Sequence, residues 1–455
     1  MNAVIDFINT HRDQYVEELK AYLAIPSISA LPAHAADVTR AAQWSADEMR
    51  RIGMQNVRLV ETPGFPVVYG DWLGAAGAPT ILFYGHYDVQ PVDPINLWES
   101  PPFEATVRDG EIYARGAADD KGQVFMHFKA IEAHLKQNGR LPCNIKIILE
   151  GEEEVGSANL DNFVKANKDT LAADVVVISD SPMFDRGIPS ICYGLRGLVY
   201  FQIDLRGTKS DLHSGSFGGA VANPAFQLAS ILAQMKDRSG RIKIPGFYDA
   251  VRELREEERE QWRKLPFNER RYAKDLGAPK LWGETGYSTL ERVWARPTFE
   301  VNGLLSGFTG DGAKTVIPAV AMAKVSMRLV PDQDPDTIAE LFEAYVKKVA
   351  PKTVEVTVTR MHGGKPWMTD FDNKYVQAAG RAIKQGFGQD PVFNREGGSI
   401  PVVATFQEIL GLPSVLFGVG LPDENAHAPN EKLDLGNFHG GIIASAFLYE
   451  EIAKS

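Results

Sequence analysis

Short apolar runs that end at acidic or histidine-bearing segments constrain the fold of this chain more than any other feature. The runs and the segments that follow them are 80–84 with 85–88, 145–149 with 150–157, and 173–178 with 179–180. Because Ile, Leu and Val dominate these runs and helix-like segments separate them, the pattern predicts βαβ units and a largely parallel sheet. Ligands bind in the crevice outside the carboxyl ends of such strands.

The order of patterns along the chain predicts two domains, one of them interrupted. A chain of 455 residues exceeds one ordinary core. The α/β pattern covers residues 1–193 and resumes at 368–455, so we predict a catalytic domain made of both parts. It has a mixed, largely parallel sheet with helices on both faces. The strands of residues 194–367 accompany two long helices, which predicts an inserted α+β domain with an antiparallel sheet.

The composition of the chain limits the partners and the cellular compartment that we expect for it. The net charge is −11 and the pI is near 5.4, which argues against nucleic acid or an anionic membrane as a partner. No apolar stretch approaches the roughly 18 residues of a membrane span. The only cysteines, Cys143 and Cys192, lie in strand-like segments and are expected to be buried free thiols. A cytoplasmic location fits these features.

Each polar segment can be explained by a structural role as well as by a catalytic role. In an extended segment His86 and Asp88 share a face, so the carboxylate can fix the ring tautomer that presents a nitrogen to a metal. Asp119 could instead cap the following helix, and the glutamates at 152–154 could form a solvated loop. At a strand exit, however, adjacent glutamates can divide metal binding and general-base work. Taken together, the segments predict a two-metal hydrolase.

The five segments, in this order, resemble the co-catalytic metallopeptidase family that includes carnosinases, aminoacylases, succinyl-diaminopimelate desuccinylase and bacterial glutamate carboxypeptidase. The resemblance covers nearly the whole chain and is strongest to carnosinase-type cytosolic dipeptidases. The motifs shared with those dipeptidases lie at 213–219, 314–318, 328–331 and 428–432. The resemblance implies a phosphorylase/hydrolase-like catalytic fold, an inserted lid and dimerisation domain, and two divalent cations per subunit, Zn²⁺ or Mn²⁺.

The resemblance also assigns roles to individual residues. The implied metal ligands are Asp119 bridging both cations, His86 and Asp180 completing one site, and Glu154 and His427 completing the other. Asp88 would orient His86. Glu153 would be the general base that takes a proton from a water lying between the cations. Relatives also place a cis peptide bond after the bridging residue, here between Asp119 and Asp120.

Substrate contacts are expected mainly from the inserted domain. Arg328 ends a strand-like segment and offers a planar fork that suits the C-terminal carboxylate of a dipeptide. The expected substrate-binding residues are His213, Thr315, Arg328, Gly397, Gly398 and Ser399. Human-type relatives carry a hydroxyl residue where this chain has Gly398. In relatives the histidine that matches His213 reaches the active site of the partner subunit, which implies a homodimer.

Other functions stay open at this point. The same metals could serve an N-acyl-amino-acid amidohydrolase of the deacetylase or desuccinylase type. A non-catalytic binding protein on the same fold would be expected to have lost Glu153 or a metal ligand, and neither loss is seen. In this family the residue at the position of Asp180 is usually aspartate in dipeptidases and glutamate in deacylases. A serine hydrolase is disfavoured because the chain has no Gly-x-Ser-x-Gly motif. We therefore predict a dipeptidase.

Overall fold

The computed structural model describes residues 1–398 and 400–455. The helices are α1 (Asn2–Thr10), α2 (Arg12–Leu23), α3 (Ala35–Ile52), α4 (Lys121–Asn138), α5 (Leu160–Ala166), α6 (Lys168–Leu171), α7 (Ser214–Phe217), α8 (Pro224–Ala233), α9 (Glu256–Arg263), α10 (Glu269–Asp275), α11 (Thr289–Trp294), α12 (Pro335–Val349), α13 (Lys374–Phe387), α14 (Pro401–Leu410) and α15 (Leu435–Ala453). The strands are β1 (Gln55–Val60), β2 (Val67–Trp72), β3 (Thr80–His86), β4 (Thr106–Arg108), β5 (Glu111–Tyr113), β6 (Asn144–Glu150), β7 (Val175–Ile178), β8 (Ser190–Leu195), β9 (Gly197–Arg206), β10 (Leu212–His213), β11 (Thr298–Ser306), β12 (Val316–Ile317), β13 (Val320–Leu329), β14 (Glu355–Gly364), β15 (Trp367–Met368), β16 (Val392–Glu396), β17 (Ser414–Leu416) and β18 (Lys432–Asp434).

The chain divides into two compact units. The first unit consists of Met1–Tyr193, Thr369–Asn394 and Val402–Ser455, and the second of Gly194–Met368 and Arg395–Pro401. The sequence placed its boundaries after residues 193 and 367. The structure differs from that division chiefly in grouping 395–401 with the second unit, where this segment contacts the start of the inserted chain.

The main sheet of the first unit is parallel at its centre and antiparallel towards its edges. Its strand order runs β1-β2-β6-β3-β7-β17-β8. β6, β3, β7 and β17 are mutually parallel, whereas β1, β2 and β8 pair antiparallel with their neighbours. Every residue of β7 is buried, as expected for an apolar strand covered on both faces. The predicted fold class is confirmed.

Most helices of the first unit match the sequence prediction, but α14 was not predicted and one predicted helix is divided. α4 begins directly after Asp119-Asp120, as predicted, and Val124, Phe125 and Phe128 on it are fully buried. The amphipathic pattern of residues 3–24 predicts one helix, but the structure has α1 and α2, separated at His11. Both short helices bury their apolar residues in the same core, so the apolar periodicity continues across the break and could not reveal it.

The second unit contains a four-stranded antiparallel sheet of order β11-β13-β9-β14. Alternate residues of β9 are buried and form a separate core with residues of α8 and α12. The dense alternating charges of residues 249–275 predict a solvated helical face. That prediction is wrong in part, because Glu258 and Trp262 on α9 are buried. Glu258 is paired there with buried Arg395, which offsets the cost of burying its charge.

Two further features bear on the compartment. Cys143 and Cys192 are buried free thiols, as predicted. Among the described residues, no helix combines the length and the apolar character needed to cross a membrane.

Candidate metal centre

Five side chains of the first unit meet beside the carboxyl ends of its parallel strands. They are His86 at the end of β3, Asp119 before α4, Glu154 after β6, Asp180 after β7, and His427 between β17 and β18. Their ligand atoms form two groups, each with its atoms within 4.8 Å of one another. We call His86, Asp119 and Asp180 the His86 group, and Asp119, Glu154 and His427 the His427 group.

Asp119 belongs to both groups, with one oxygen directed to each. Its Oδ1 lies 3.1 Å from Nε2 of His86, and its Oδ2 lies 2.8 Å from Nε2 of His427. Nε2 of His427 is also 3.2 Å from Oε2 of Glu154, and Nε2 of His86 is 3.9 Å from Oδ2 of Asp180. The peptide bond between Asp119 and Asp120 is cis, as the resemblance implied.

The donor set fits divalent cations. Imidazole nitrogens and carboxylate oxygens are ligands of Zn²⁺, and carboxylates also suit Mn²⁺. Burial and the nearby charge of Asp119 raise the pKa of Asp180 well above its ordinary value. Three carboxylates therefore crowd a poorly solvated space that positive charge would stabilise. The chemistry of the residues present is that of a metal centre.

Without a cation, the histidines act as charged partners of Asp119. Hydrogen bonds to Asp119 and Glu154 raise the pKa of His427 to about 10. Burial opposes protonation of His86, but Asp119 and Asp88 more than offset it and raise its pKa well above the ordinary value. Burial likewise opposes ionisation of Asp119, yet hydrogen bonds from His427 and His86 lower its pKa. A cation that binds here must therefore displace protons from the rings.

Asp88 connects His86 to the loop of Glu154. Nδ1 of His86 lies 3.1 Å from the backbone oxygen of Asp88 and 3.3 Å from its Oδ1. Both contacts hold Nδ1, so Nε2 is left to face Asp119. Oδ2 of Asp88 accepts hydrogen bonds from Oγ of Ser29 at 2.6 Å and from the backbone N of Glu154 at 3.2 Å. The structure thus brings Asp88 to the place that its predicted orienting role requires.

The three consecutive glutamates after β6 have different surroundings. Glu152 accepts hydrogen bonds from Nδ2 of Asn159 at 2.9 and 3.1 Å. Glu154 faces His427 and accepts a hydrogen bond from Nε2 of Gln90 at 2.8 Å. Burial raises the pKa of Glu153 to about 8; the charge of His86 opposes this rise. A carboxyl group with that pKa can gain and lose a proton near neutral pH, as a general base must.

Three residues that contact the centre's residues were missed from the sequence. Gln90 holds Glu154, Ser29 holds Asp88, and Glu431 accepts a hydrogen bond from the backbone N of Asp119 at 3.1 Å. Gln90 could have been suspected from its place two residues after Asp88. Glu431 lies within the motif at 428–432, four residues after His427. Ser29 carries no local signal.

In the second unit, the structure brings His213 and Thr315 together. β10 pairs with β12, and the backbone N of Ser214 donates to the oxygen of Thr315 at 3.1 Å. His213 is exposed and caps α7; its Nδ1 accepts from the backbone N of Gly215 at 3.1 Å and of Ser216 at 3.2 Å. Because Nδ1 accepts, a neutral His213 ring carries its proton on Nε2 and can donate from there.

The glycines near 397 are held by an arginine that the sequence did not single out. Arg196 donates from Nε to the oxygen of Gly397 at 3.0 Å and from its backbone N to the oxygen of Gly398 at 3.1 Å. Burial and the charge of Arg328 lower the pKa of Arg196 to about 10. Burial also lowers the pKa of Arg328. Ser399 lies outside the described residues.

The two glycines differ in the space around them. A Cβ on Gly397 would lie 2.7 Å from Nη2 of Arg196 and 3.1 Å from the backbone oxygen of Val293, so a side chain here would have to displace the end of Arg196. A Cβ on Gly398 would meet none of the described atoms within 4 Å. The position where relatives carry a hydroxyl residue therefore has room for one in this chain.

Residues 82–450 match the family described as peptidase family M20/M25/M40. The Cys-Gly metallodipeptidase dug1 of Schizosaccharomyces pombe is 34% identical over 100% of this chain and 98% of its own length. The crystal structure of human carnosine dipeptidase 1 matches with a TM-score of 0.83 and 33% identity, covering 99% of this chain and 98% of that one. An M20 metallo-carboxypeptidase from Sulfolobus solfataricus, Sso-CP2, matches with a TM-score of 0.84 and 34% identity, covering 97% and 99%.

Proposed function

This chain belongs to the peptidase family M20/M25/M40, and we propose that it hydrolyses dipeptides with two divalent cations held by the His86 and His427 groups. It is a metallopeptidase, and the relatives named as dipeptidases support dipeptides as its substrates. The observation that carries the two-cation proposal is the position of Asp119, whose two oxygens each face a different group. The residues proposed to hold the cations are His86, Asp119, Asp180, Glu154 and His427.

The proposed mechanism divides the work between the cations and the side chains. When bound, Zn²⁺ or Mn²⁺ supplies Lewis acidity that lowers the pKa of water and polarises the scissile carbonyl group. Glu153 accepts the proton of the attacking water on its carboxylate and later donates it to the leaving nitrogen. In the cation-free protein, burial raises the pKa of Glu153 to about 8, and the nearby positive charge of bound cations would favour the carboxylate form that accepts the proton. Asp88 holds the ring of His86 so that its Nε2 faces Asp119.

We propose that His213 stabilises the oxyanion of the tetrahedral intermediate and serves the partner subunit of a homodimer. The proton on Nε2 makes the ring a donor for that oxyanion. The dimer is supported by β11, which lies at one edge of the second unit's sheet and exposes Val301, Leu304 and Leu305. A strand edge with exposed apolar side chains is the kind of surface that pairs with a second chain.

Substrate selection is proposed to rest on Arg328, which would bind the C-terminal carboxylate of the dipeptide. Thr315, Gly397, Gly398 and Ser399 would add hydroxyl and backbone donors. A half-buried guanidinium binds a carboxylate more strongly than one in open solvent, because less water competes for its N–H groups. A cytoplasmic location stays a prediction, and the two buried free thiols are compatible with a reducing compartment.

The test is a substrate screen on protein stripped with a chelator and reloaded with Zn²⁺ or Mn²⁺. Dipeptides with a free α-amine are compared with N-acetyl- and N-succinyl-amino acids, and bound metal is counted by mass spectrometry. Two ions per chain and turnover of dipeptides are expected. Turnover confined to N-acyl-amino acids would replace the dipeptidase by an amidohydrolase, and a single ion per chain would contradict the two-cation proposal.

A further inference from the structure

The two ligand groups are supported by different kinds of structure. In the His86 group, His86 ends β3 and Asp180 follows β7 by two residues, so regular strand pairing places both. In the His427 group, Glu154 lies in a single 3₁₀ turn, Glu153–Val155, and His427 lies in a turn between β17 and β18, so neither is placed by strand pairing. His427 adopts a φ of +62°, and Asn425 and Asn430 beside it adopt +57° and +62°. Non-glycine residues in this left-handed region need surrounding contacts to hold them.

One buried carboxylate supplies such contacts to the bridging residue. Glu431 is 0% exposed. Its Oε2 accepts from Nη1 of Arg115 at 2.7 Å and from the backbone N of Gly116 at 3.0 Å. Its Oε1 accepts from the backbone N of Ala118 at 2.9 Å and of Asp119 at 3.1 Å. Both oxygens are therefore used, and all four donors lie in the turn that ends at Asp119.

The same residue anchors the loop of His427. Glu431 follows His427 by four residues, and its own backbone oxygen accepts from the N of Ala114 at 3.1 Å. The turn at 115–119 and the loop at 425–431 are thus joined through one side chain and one main-chain bond. If the carboxylate were lost, buried N–H groups of the turn would lack an acceptor, which destabilises the turn that carries Asp119.

The contact extends to the third member of the group through Arg115. Nη1 of Arg115 pairs with Glu431, and its Nη2 donates to the oxygen of Pro91 at 2.9 Å. The residue before Pro91 is Gln90, whose Nε2 donates to Oε2 of Glu154 at 2.8 Å. Arg115 is 1% exposed, so its charge depends on Glu431 for compensation. All three ligands of the His427 group are therefore connected to the Glu431–Arg115 pair.

We propose that Glu431 is the positioning residue of the His427 group and sets the affinity of that group for its cation, while the His86 group depends on it far less. The inference rests on the proposed function, because it requires that both groups bind cations. Glu431 is fully buried and both of its carboxylate oxygens accept from the turn at 115–119, so we assign it an action through Asp119, His427 and Glu154. Partners of this kind typically contribute 10- to 100-fold to metal affinity.

The test uses the full-length protein with Zn²⁺ alone, titrated in competition with a chromogenic chelator, so no substrate is involved. Glu431→Gln keeps the size of the side chain but replaces one acceptor oxygen by an N–H₂ group, which cannot accept from the facing donors. We expect one ion to bind as in the wild type and the second to bind about 10- to 100-fold more weakly. Glu284→Gln is the matched control, because Glu284 is a buried partner of Arg296 in the second unit; both ions should then bind normally.

Co²⁺ identifies which ion is weakened. The visible absorption that is lost in His427→Ala should be the absorption that requires excess Co²⁺ in Glu431→Gln. If Glu431→Gln does not fold, Arg115→Lys takes its place, because lysine cannot reach both Glu431 and Pro91. The same weakening of one ion, and not of the other, is then expected in the metal titration. Unchanged affinity for both ions, or equal weakening of both, would overturn the inference. Wild-type protein that binds fewer than two ions would overturn the two-cation function itself. Wild-type protein that binds two ions but does not hydrolyse dipeptides would reject the proposed substrate, and the metal affinities of the variants would still decide this inference.

Discussion

The two units of the chain carry different kinds of functional residue on different kinds of support. In the first unit, the candidate ligands gather at the carboxyl ends of buried parallel strands. In the second unit, Arg328 lies on an antiparallel sheet, and the separate two-residue strands β10 and β12 bring His213 and Thr315 together. The difference suggests that the first unit holds the cations and the general base, and that the second supplies groups that contact the substrate, including the oxyanion donor His213. Variants should therefore separate metal binding and general-base work in the first unit from substrate contacts in the second.

The strongest test of that division is Glu153→Ala. Loss of a general base typically lowers kcat by about 10²- to 10⁴-fold, and Glu153 is also proposed to deliver the leaving-group proton. Metal content should stay at the wild-type level. The matched control is Glu152→Ala, because the neighbouring glutamate is bonded to Asn159 and should tolerate the change with little effect on kcat. If Glu153→Ala loses an ion and regains activity in excess metal, Glu153 and Glu154 must exchange roles.

The next largest effect is expected from His213→Ala in the second unit. Removing one oxyanion donor costs about 10²- to 10³-fold in kcat, and metal content and dimerisation should be unaffected. His362→Ala is the control, because His362 is another exposed histidine of that unit and was not assigned a role.

Mixing the two inactive proteins tests whether His213 acts across the dimer. A heterodimer of His213→Ala and Glu153→Ala chains has one site with an intact base and an intact histidine. Random exchange places about half of the dimers in this form, so activity should approach roughly a quarter of wild type per total site. Absence of recovery despite demonstrated subunit exchange would place the action of His213 within its own chain, or remove it from the mechanism.

Arg328→Met should affect recognition only. Loss of charge-assisted hydrogen bonds of about 1.5–3 kcal/mol corresponds to a fall in kcat/KM of roughly 10- to 100-fold. The fall should be seen for dipeptides and should be absent for dipeptide amides, which lack the terminal carboxylate. Arg206→Met, at an exposed arginine of the same sheet, is the control. Equal falls in kcat/KM for dipeptides and for their amides would show that Arg328 does not bind the carboxylate.

The sequence could predict elements that have a regular apolar pattern of their own, but not the contacts that join distant positions. β3, β6, β7 and α4 were located because apolar periodicity reports which face of an element is buried. β1 and β2 were not identified, since β2 contains Gly70 and Asp71 within its buried run. The buried polar contacts of Gln90 and Glu431 join positions distant along the chain. Periodicity describes each element alone, so it cannot pair such positions before the tertiary structure is known.

The burial of Glu258 could not be predicted for the same reason. It depends on Arg395, a partner distant along the chain, whereas local composition indicates only the average behaviour of a charged segment. The resemblance to a family supplied what periodicity could not, because family motifs record which distant segments belong to one site. It named the candidate ligands at 86, 119, 154, 180 and 427, yet it gave no role to Glu431, which lies within the motif at 428–432.

The smallest expected effect is a proton linkage that belongs to the first unit alone. In the cation-free protein the pKa of His427 is about 10, so below that pH the ring carries a proton that a cation must displace. Metal affinity should therefore fall as pH falls, by about tenfold per pH unit for each proton released. Calorimetric titration of Zn²⁺ at pH 7 in buffers of different ionisation enthalpy should count at least one proton released. His213→Ala should leave that count unchanged, because His213 belongs to the second unit. A count of zero in the wild type would contradict the protonated state inferred for His427, and a count altered by His213→Ala would break the separation of the two units.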